Sequence, residues 1–394
     1  MISVAEAKQF ISDHSFELGA EKAPLSQAFG RVLATDVYAA VDIPNYPQSS
    51  MDGYALNYEG WKKTGDLAIS GEMAAGSNVE TVLKPGSAVR IFTGAAVPDG
   101  ADTVVIQEKS SVNDGVLKIL DEQLKEGDNV RLKGSEVASG SLALPMGHRV
   151  SPPAIGFLAG FGITDLDLYR DPLVSIIVTG NELQEPGKPL RYGQVYESNS
   201  FALSAALKQA GIEGVQLFQS GDELEELTGT LSRCLLSSDM VLLTGGVSVG
   251  DYDFTLKAAA GCGIKTIFHK IKQKPGKPIF FGTKGKQLVF GLPGNPASVL
   301  TCFYEYVCIA LQKMNHRPAT LKTSWLPLSG AYKKPSGLTH FLKGFHDGKT
   351  VTVLDAQESY RLHSFARANC LIQIDEETTA CREGDLVEVH HLPG

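Results

Sequence analysis

The chain has 394 residues, 43% hydrophobic and 20% charged, with 41 glycines and 19 prolines. That length predicts about two to four domains, and the glycine and proline content predicts many tight turns without the bias of a disordered chain. A formal net charge of -8, from 36 basic and 44 acidic residues, excludes general nucleic-acid binding, which needs a basic surface to neutralise phosphates.

The opening run MISVAEAKQFISDH lacks the cationic head and apolar stretch of a signal peptide. No segment reaches the roughly 20 apolar residues of a membrane span, so a soluble, cytoplasmic protein is expected. Residues 1 to about 40 read as helical, with Val4, Ala7, Phe10 and Ile11 on one face. From Val41 to about Gly140, β-rich runs such as SAVRIFTG and ADTVVIQE alternate with Gly, Pro, Asn and Asp turns. This is a mostly β module inserted in the chain. Pro152 and Pro153 then open a compact helical stretch.

From Asp171 the texture changes to strands alternating with helices. LVSIIVTG, GVQLFQ, DMVLLTGG and QLVFGLPG read as strands. SNSFALSAALKQAG, DELEELTGTLSRCLLSS and NPASVLTCFYEYVCIALQKM read as helices. Ser198 or Asn199 is placed to cap the first of these helices and Gly211 to end it. Alternation of this kind, with continuously apolar strands, predicts βαβ units around a mostly parallel sheet covered on both faces. After Pro318 short strands return as a small terminal β domain. Six cysteines (Cys234, Cys262, Cys302, Cys308, Cys370 and Cys381) show no metal-binding spacing and read as buried free thiols.

Ligands of open α/β sheets bind at the carboxyl ends of strands, and three unusual loops fall there. They are Thr179-Gly180-Asn181-Glu182, the run Thr244 to Asp251 with Asp253 behind it, and Gly291-Leu292-Pro293-Gly294-Asn295-Pro296. Their glycines let backbone N–H groups approach an anion, and the last loop runs into a helix N-terminus. Neither a Walker A motif nor a G-x-G-x-x-G fingerprint is present, which excludes a nucleoside triphosphatase or a dehydrogenase reading. Lys270, Lys272, Lys274 and Lys277 follow in an acidic chain, the first three on one side of an extended segment. They read either as an anion site or as a lysine-protected edge strand. Glu182, Asp251 and Asp253 are candidate magnesium ligands beside such an anion. In the β module, SSMDGYA around Asp52 and RIFTGA around Thr93 read as turns, one with an acid at its centre.

Taken together and in order, S-x-M-D-G-Y-A, R-I-F-T-G-A, T-G-N-E-L, T-G-G-V-S-V-G-D-x-D, K-P-G-K-P and G-L-P-G-N-P resemble the molybdopterin molybdenumtransferases, the family of bacterial MoeA, the plant Cnx1 E domain and the gephyrin E domain. The resemblance implies four domains: an elongated helical linker domain at 1–40 and 141–170, the β module at 41–140, a doubly wound, molybdopterin-binding α/β domain at 171–317, and a small β-barrel-like domain at 318–394. It implies insertion of molybdate into adenylylated molybdopterin, with magnesium-dependent release of AMP, in a homodimer whose cleft joins the α/β domain of one subunit to the β module of the other. Contact with other cofactor-assembly proteins would be transient.

By motif the resemblance assigns catalytic roles to Asp52, Thr93, Glu182, Asp239 and Asp253. It assigns substrate binding to Arg131, Glu136, Lys270, Lys274, Pro293, Pro296 and Ser364, to which the glycine-loop and lysine readings add Gly245, Gly246, Ser248, Lys277 and Asn295, while Glu182, Asp251 and Asp253 remain the candidate metal ligands. Glu136 stands where the family carries aspartate. A non-catalytic scaffold of the same fold and a tungstate-preferring transferase are the alternatives.

Overall fold

In the computed structural model, residues 1–77, 81–245, 254–317 and 321–394 are described. The chain divides into two compact units, one formed by Met1–Glu21, Gly30–Val32 and Leu168–Gly394, the other by Lys22–Phe29 and Leu33–Asp167.

The first unit opens on the helix Val4–His14. Ser3 and Glu6 close a capping box there, with Ser3 N–H donating to Glu6 Oε2 at 2.8 Å. Val4, Ala7 and Ile11 are buried as expected, but Phe10 is 36% exposed. The helical expectation for residues 1–40 holds only to His14, because an extended run, Ala20–Pro24, follows.

The α/β core is a six-stranded sheet in the order Val215–Ser220, Val174–Thr179, Met240–Thr244, Gln287–Leu292, Phe280–Lys284 and Lys265–His269. The first four strands are mutually parallel, and Phe280–Lys284 runs against both its neighbours. Strand positions alternate between two buried faces. Ile176, Leu242 and Phe290 meet the helices Val4–His14 and Asn199–Gln209, whereas Ile177, Leu243 and Val289 meet Leu224–Ser237 and Phe254–Gly261. Burial on both faces is why the central strands Val174–Thr179, Met240–Thr244 and Gln287–Leu292 are largely apolar. The helix Asn199–Gln209 is capped by neither Ser198 nor Asn199. The Glu197 carboxylate accepts the Ser200 N–H at 2.8 Å instead, and Gly211 at φ 81° ends the helix as predicted.

The terminal β domain is also a six-stranded sheet, built on Thr339–His346, Cys370–Ile374, Leu386–His391 and Lys322–Pro327, with Val351–Val353 beside the first. Its other edge is Gln273–Lys274, taken from the lysine-rich segment of the α/β domain and paired in parallel with Thr339–His346. Three parts of the unit meet at Glu305, in a π-turn (Phe303–Val307) of the helical run that starts at Pro296. The fully buried carboxylate lies 2.7 Å from Lys8 Nζ of the first helix and 2.6 Å from His390 Nδ1 of the terminal sheet.

The second unit carries a six-stranded sheet in the order Thr103–Ile106, Gly53–Leu56, Ser87–Ile91, Leu67–Met73, Val116–Ile119 and Ser110–Asn113. The predicted compact helix is Pro152–Gly160, with Ser151 as its cap.

Candidate functional site

The order of the parallel strands brings the three predicted loops together. Val174–Thr179, Met240–Thr244 and Gln287–Leu292 are adjacent, so all three loops leave one carboxyl edge. Gly245 has φ 85°, and a Cβ there would stand 2.3 Å from the Thr179 carbonyl oxygen; a residue with a side chain cannot occupy the position without moving the neighbouring strand. The hydroxyls of Thr179 and Thr244 are buried at this edge without a hydrogen-bond partner among the described residues, in residues only 3% and 1% exposed. An unpaired buried hydroxyl costs free energy unless something fills it, which makes these two groups candidates for contact with a polar ligand. Glu182 is exposed, and its carboxylate makes no hydrogen bond or ion pair among the described residues. Gly246, Ser248, Asp251 and Asp253 lie outside the described residues.

The loop Gly291–Pro296 is fixed from two sides. Asn199 Nδ2 donates to the Gly294 carbonyl at 2.9 Å. Asn295 Nδ2 donates to Ser359 Oγ at 2.8 Å, and the Ala297 N–H donates to Ser359 O at 3.0 Å. Pro293 is buried, and Pro296 is the first residue of its helix, where a missing N–H costs nothing. The sequence placed Asn199 as a cap and passed over Ser359. Nothing in the local run Glu358-Ser359-Tyr360-Arg361 signals a contact with residue 295.

In the β module, Asp52 is exposed just before the strand Gly53–Leu56. Its Oδ1 accepts both the Thr93 N–H and the Thr93 hydroxyl, each at 2.8 Å. Those two bonds, helped by the charge of Arg90, hold the carboxyl below the usual aspartate range. Asp52 and Thr93, read from separate turns, are therefore one constellation. Elsewhere in the module Arg131 and Glu136 line a cavity of about 490 Å³ together with Asp42, Asn45 and Gln48.

Comparison with known proteins agrees along the whole chain. Residues 2–162 match the MoeA N-terminal region (domain I and II), 175–313 a probable molybdopterin binding domain, and 326–392 the MoeA C-terminal region (domain IV). A molybdopterin molybdenumtransferase of Haemophilus influenzae is 31% identical and covers 100% of both chains. The chain belongs to the molybdopterin molybdenumtransferase family. A relative of the same description from Nostoc is 37% identical over 76% of this chain and 70% of its own. The crystal structure of a molybdopterin biosynthesis MoeA protein from Pyrococcus horikosii superposes with a TM-score of 0.86 at 28% identity, covering 100% of each chain.

The remaining positions matched to this family of transferases fall in three environments. Lys274 is exposed and lines a groove of about 530 Å³ with Tyr332, His340, Ser359 and Tyr360, and Lys277 is exposed close by in sequence. The expected common face of three lysines does not extend to Lys270, whose left-handed φ of 72° ends the extended run. Lys272 is engaged by Glu376 at 2.8 Å. The segment is thus an edge strand, as one of its two readings had it, and Lys274 still faces an open groove.

Ser364 is 3% exposed, and its hydroxyl donates to the Ala356 carbonyl at 2.9 Å. With buried Lys343, which donates to the carbonyls of Ala356, Glu358 and Arg361, it shapes the loop that carries Ser359. Asp239 stands apart. It precedes Met240–Thr244, at the end opposite the carboxyl edge, and pairs in bidentate fashion with Arg170 at 2.8 Å while accepting the Leu173 N–H. That geometry ties the starts of two strands together and does not bring Asp239 to the other acids.

Proposed function

We propose that the chain transfers molybdenum, inserting molybdate into adenylylated molybdopterin with magnesium-dependent release of AMP. The observation that carries this reading is the carboxyl edge of the α/β sheet. There the strand ends that carry the glycine loops bring two buried hydroxyls and an acid, all without a partner among the described residues. Hydroxyls and backbone N–H groups suit phosphate and molybdate oxygens, and Lys270, Lys274 and Lys277 supply the positive charge that an acidic protein otherwise lacks. Asn295, held by Ser359, fixes the loop that would border the pterin phosphate.

Magnesium takes hard oxygen ligands, and the Glu182 carboxylate, which has no partner among the described residues and leaves the same strand end as Thr179, is a fitting donor, joined in sequence by Asp251 and Asp253. When bound, the ion would offset charge developing on the phosphates. Asp52, kept ionised by Thr93, would orient or accept a proton from the attacking oxygen as the phosphoanhydride breaks. The dithiolene sulfurs of the substrate would ligate molybdenum; the six cysteines are all buried. A homodimer that joins Asp52 of one subunit to the α/β edge of the other, with a cytoplasmic location and transient contact with other cofactor-assembly proteins, completes the proposal. Among the described residues no helix is long and apolar enough to cross a membrane.

The test is AMP release by the full chain given adenylylated molybdopterin, magnesium and molybdate, followed by reconstitution of an apo-molybdoenzyme. Molybdate-dependent AMP release with an active reconstituted enzyme is expected. Tight pterin binding without AMP release, beside an active family member, would overturn the reading in favour of a scaffold. Release that responds to tungstate alone would reassign the metal.

A further inference from the structure

We infer that Arg90 is a positioning residue for Asp52, its guanidinium holding the turn from which that acid is presented. The inference rests on the transferase reading, in which Asp52 meets the substrate.

Arg90 lies on the strand Ser87–Ile91, directly opposite Tyr54 in the antiparallel pair with Gly53–Leu56. Its Nη1 donates to the Gly53 carbonyl at 2.9 Å and its Nη2 to Gln107 Oε1 at 2.6 Å. Gln107 in turn donates its own N–H to the Asp52 carbonyl at 3.0 Å. The consecutive carbonyls of Asp52 and Gly53 are therefore bound by two residues that are bound to each other. On the side-chain end, the Asp52 carboxylate takes both donors of Thr93, three residues beyond Arg90. One short segment thus secures the backbone and the carboxylate of the same acid.

The neighbouring position offers no other means of support. A Cβ at Gly53 would fall 1.9 Å from the Val105 carbonyl oxygen, so residue 53 can carry no side chain of its own. Arg90 is also held in plane, its guanidinium carbon 5.0 Å from the Tyr54 ring centre and 4.9 Å from that of Phe92. It has no ion-pair partner within 4 Å among the described residues, and its charge adds to the two Thr93 hydrogen bonds in lowering the Asp52 pKa. Lysine would keep the charge but not the planar fork that reaches two acceptors between two rings.

The experiment uses the full chain with Arg90→Lys and Arg90→Gln, assayed for AMP release beside the unaltered protein. A misplaced catalytic group costs on the order of ten- to a hundred-fold in rate. That loss is expected in kcat for both variants, with KM for molybdate changed less than about twofold, as for an interaction that leaves ground-state binding intact. Carbon-13 NMR of the Asp52 carboxyl gives a readout that needs no turnover. Its pKa should rise in Arg90→Gln and rise less in Arg90→Lys, where the charge remains. Unaltered kcat in both variants, or an Asp52 titration that does not move in Arg90→Gln, overturns the inference. Where both Arg90 variants fail to fold, Gln107→Ala deletes only the Oε1 that accepts from Arg90 Nη2 and keeps the backbone N–H to Asp52; a smaller loss of kcat with a shifted Asp52 titration is then expected, and finding both unaltered overturns the inference. An unaltered protein that releases no AMP refutes the transferase reading, while the Asp52 titration still decides whether Arg90 governs that acid.

Discussion

Replacing His390 by alanine should destabilise the larger unit strongly, because it strips one of two partners from a carboxylate with no exposed surface. Glu305 is held by Lys8 at 2.7 Å and His390 at 2.6 Å. Burial pushes its pKa up, but the His390 hydrogen bond and the Lys8 charge outweigh that, and the net is below the ordinary 4.5. Removing one partner of a buried ion group costs about 3–5 kcal/mol. The lower end, ~3 kcal/mol, applies here because Lys8 stays in place and its side chain is 29% exposed. At about 2–4 °C per kcal/mol for cooperative units of roughly 150–250 residues, Tm should fall by roughly 6–12 °C in differential scanning calorimetry.

The pH dependence separates the charge from the packing. A carboxyl whose folded pKa is depressed contributes stability that is fully present above its unfolded value and is lost as pH falls through the folded one. The stability advantage of the unaltered protein over Glu305→Gln should therefore be constant above about 4.5 and shrink below it. A His390→Ala protein that melts within about 1 °C of the unaltered one, or a Glu305→Gln difference that ignores acid, would show that the buried cluster does not secure the terminal domain.

Three further outcomes are expected. Gly53→Ala must force apart the strands Gly53–Leu56 and Thr103–Ile106, since its Cβ would meet a carbonyl at 1.9 Å; urea unfolding of the β module should show a loss of about 3 kcal/mol or more. Asp239→Asn should lower stability by about 1–2 kcal/mol, discounted because both partners are partly exposed, and should leave kcat within about threefold; a larger loss of kcat at normal stability would return Asp239 to the catalytic group. His340 is pushed down to about 4 by burial and by Lys334 and Lys274, from 6.5. The unfolded chain therefore takes the proton first, and stability should fall as pH drops from about 6.5 towards 4; His340→Gln should flatten that slope in denaturant titrations.

Much of the architecture was legible in local patterns. Continuous apolar runs such as Val174–Thr179 and Met240–Thr244 announced a sheet covered on both faces, because only such strands need apolar residues on each side. The three loops announced a shared edge, because parallel strands joined by helices must all exit on one side. Local patterns failed where the deciding partner was remote. Ser198 and Asn199 have the side chains of a helix cap, yet Glu197 does the capping and Asn199 is drawn to Gly294, 95 positions along the chain. The two-residue repeat put Lys270 on the face of Lys272 and Lys274, but a left-handed backbone at Lys270 ends the extended run.

The sequence by itself determined the fold class and the residue types at the proposed site, because hydrophobic period, turn chemistry and glycine spacing act over a few residues, and its ordered motifs carried the resemblance to the family. Only the tertiary structure decided which of those residues keep company. It joined Asp52 to Thr93 and Arg90 to the Gly53 carbonyl, placed Ser364 behind the loop of Ser359, and set Asp239 with Arg170 at the far end of its strand. Hydrogen bonds and ion pairs depend on atoms brought within about 3 Å of each other, and separation along the chain carries no record of that distance.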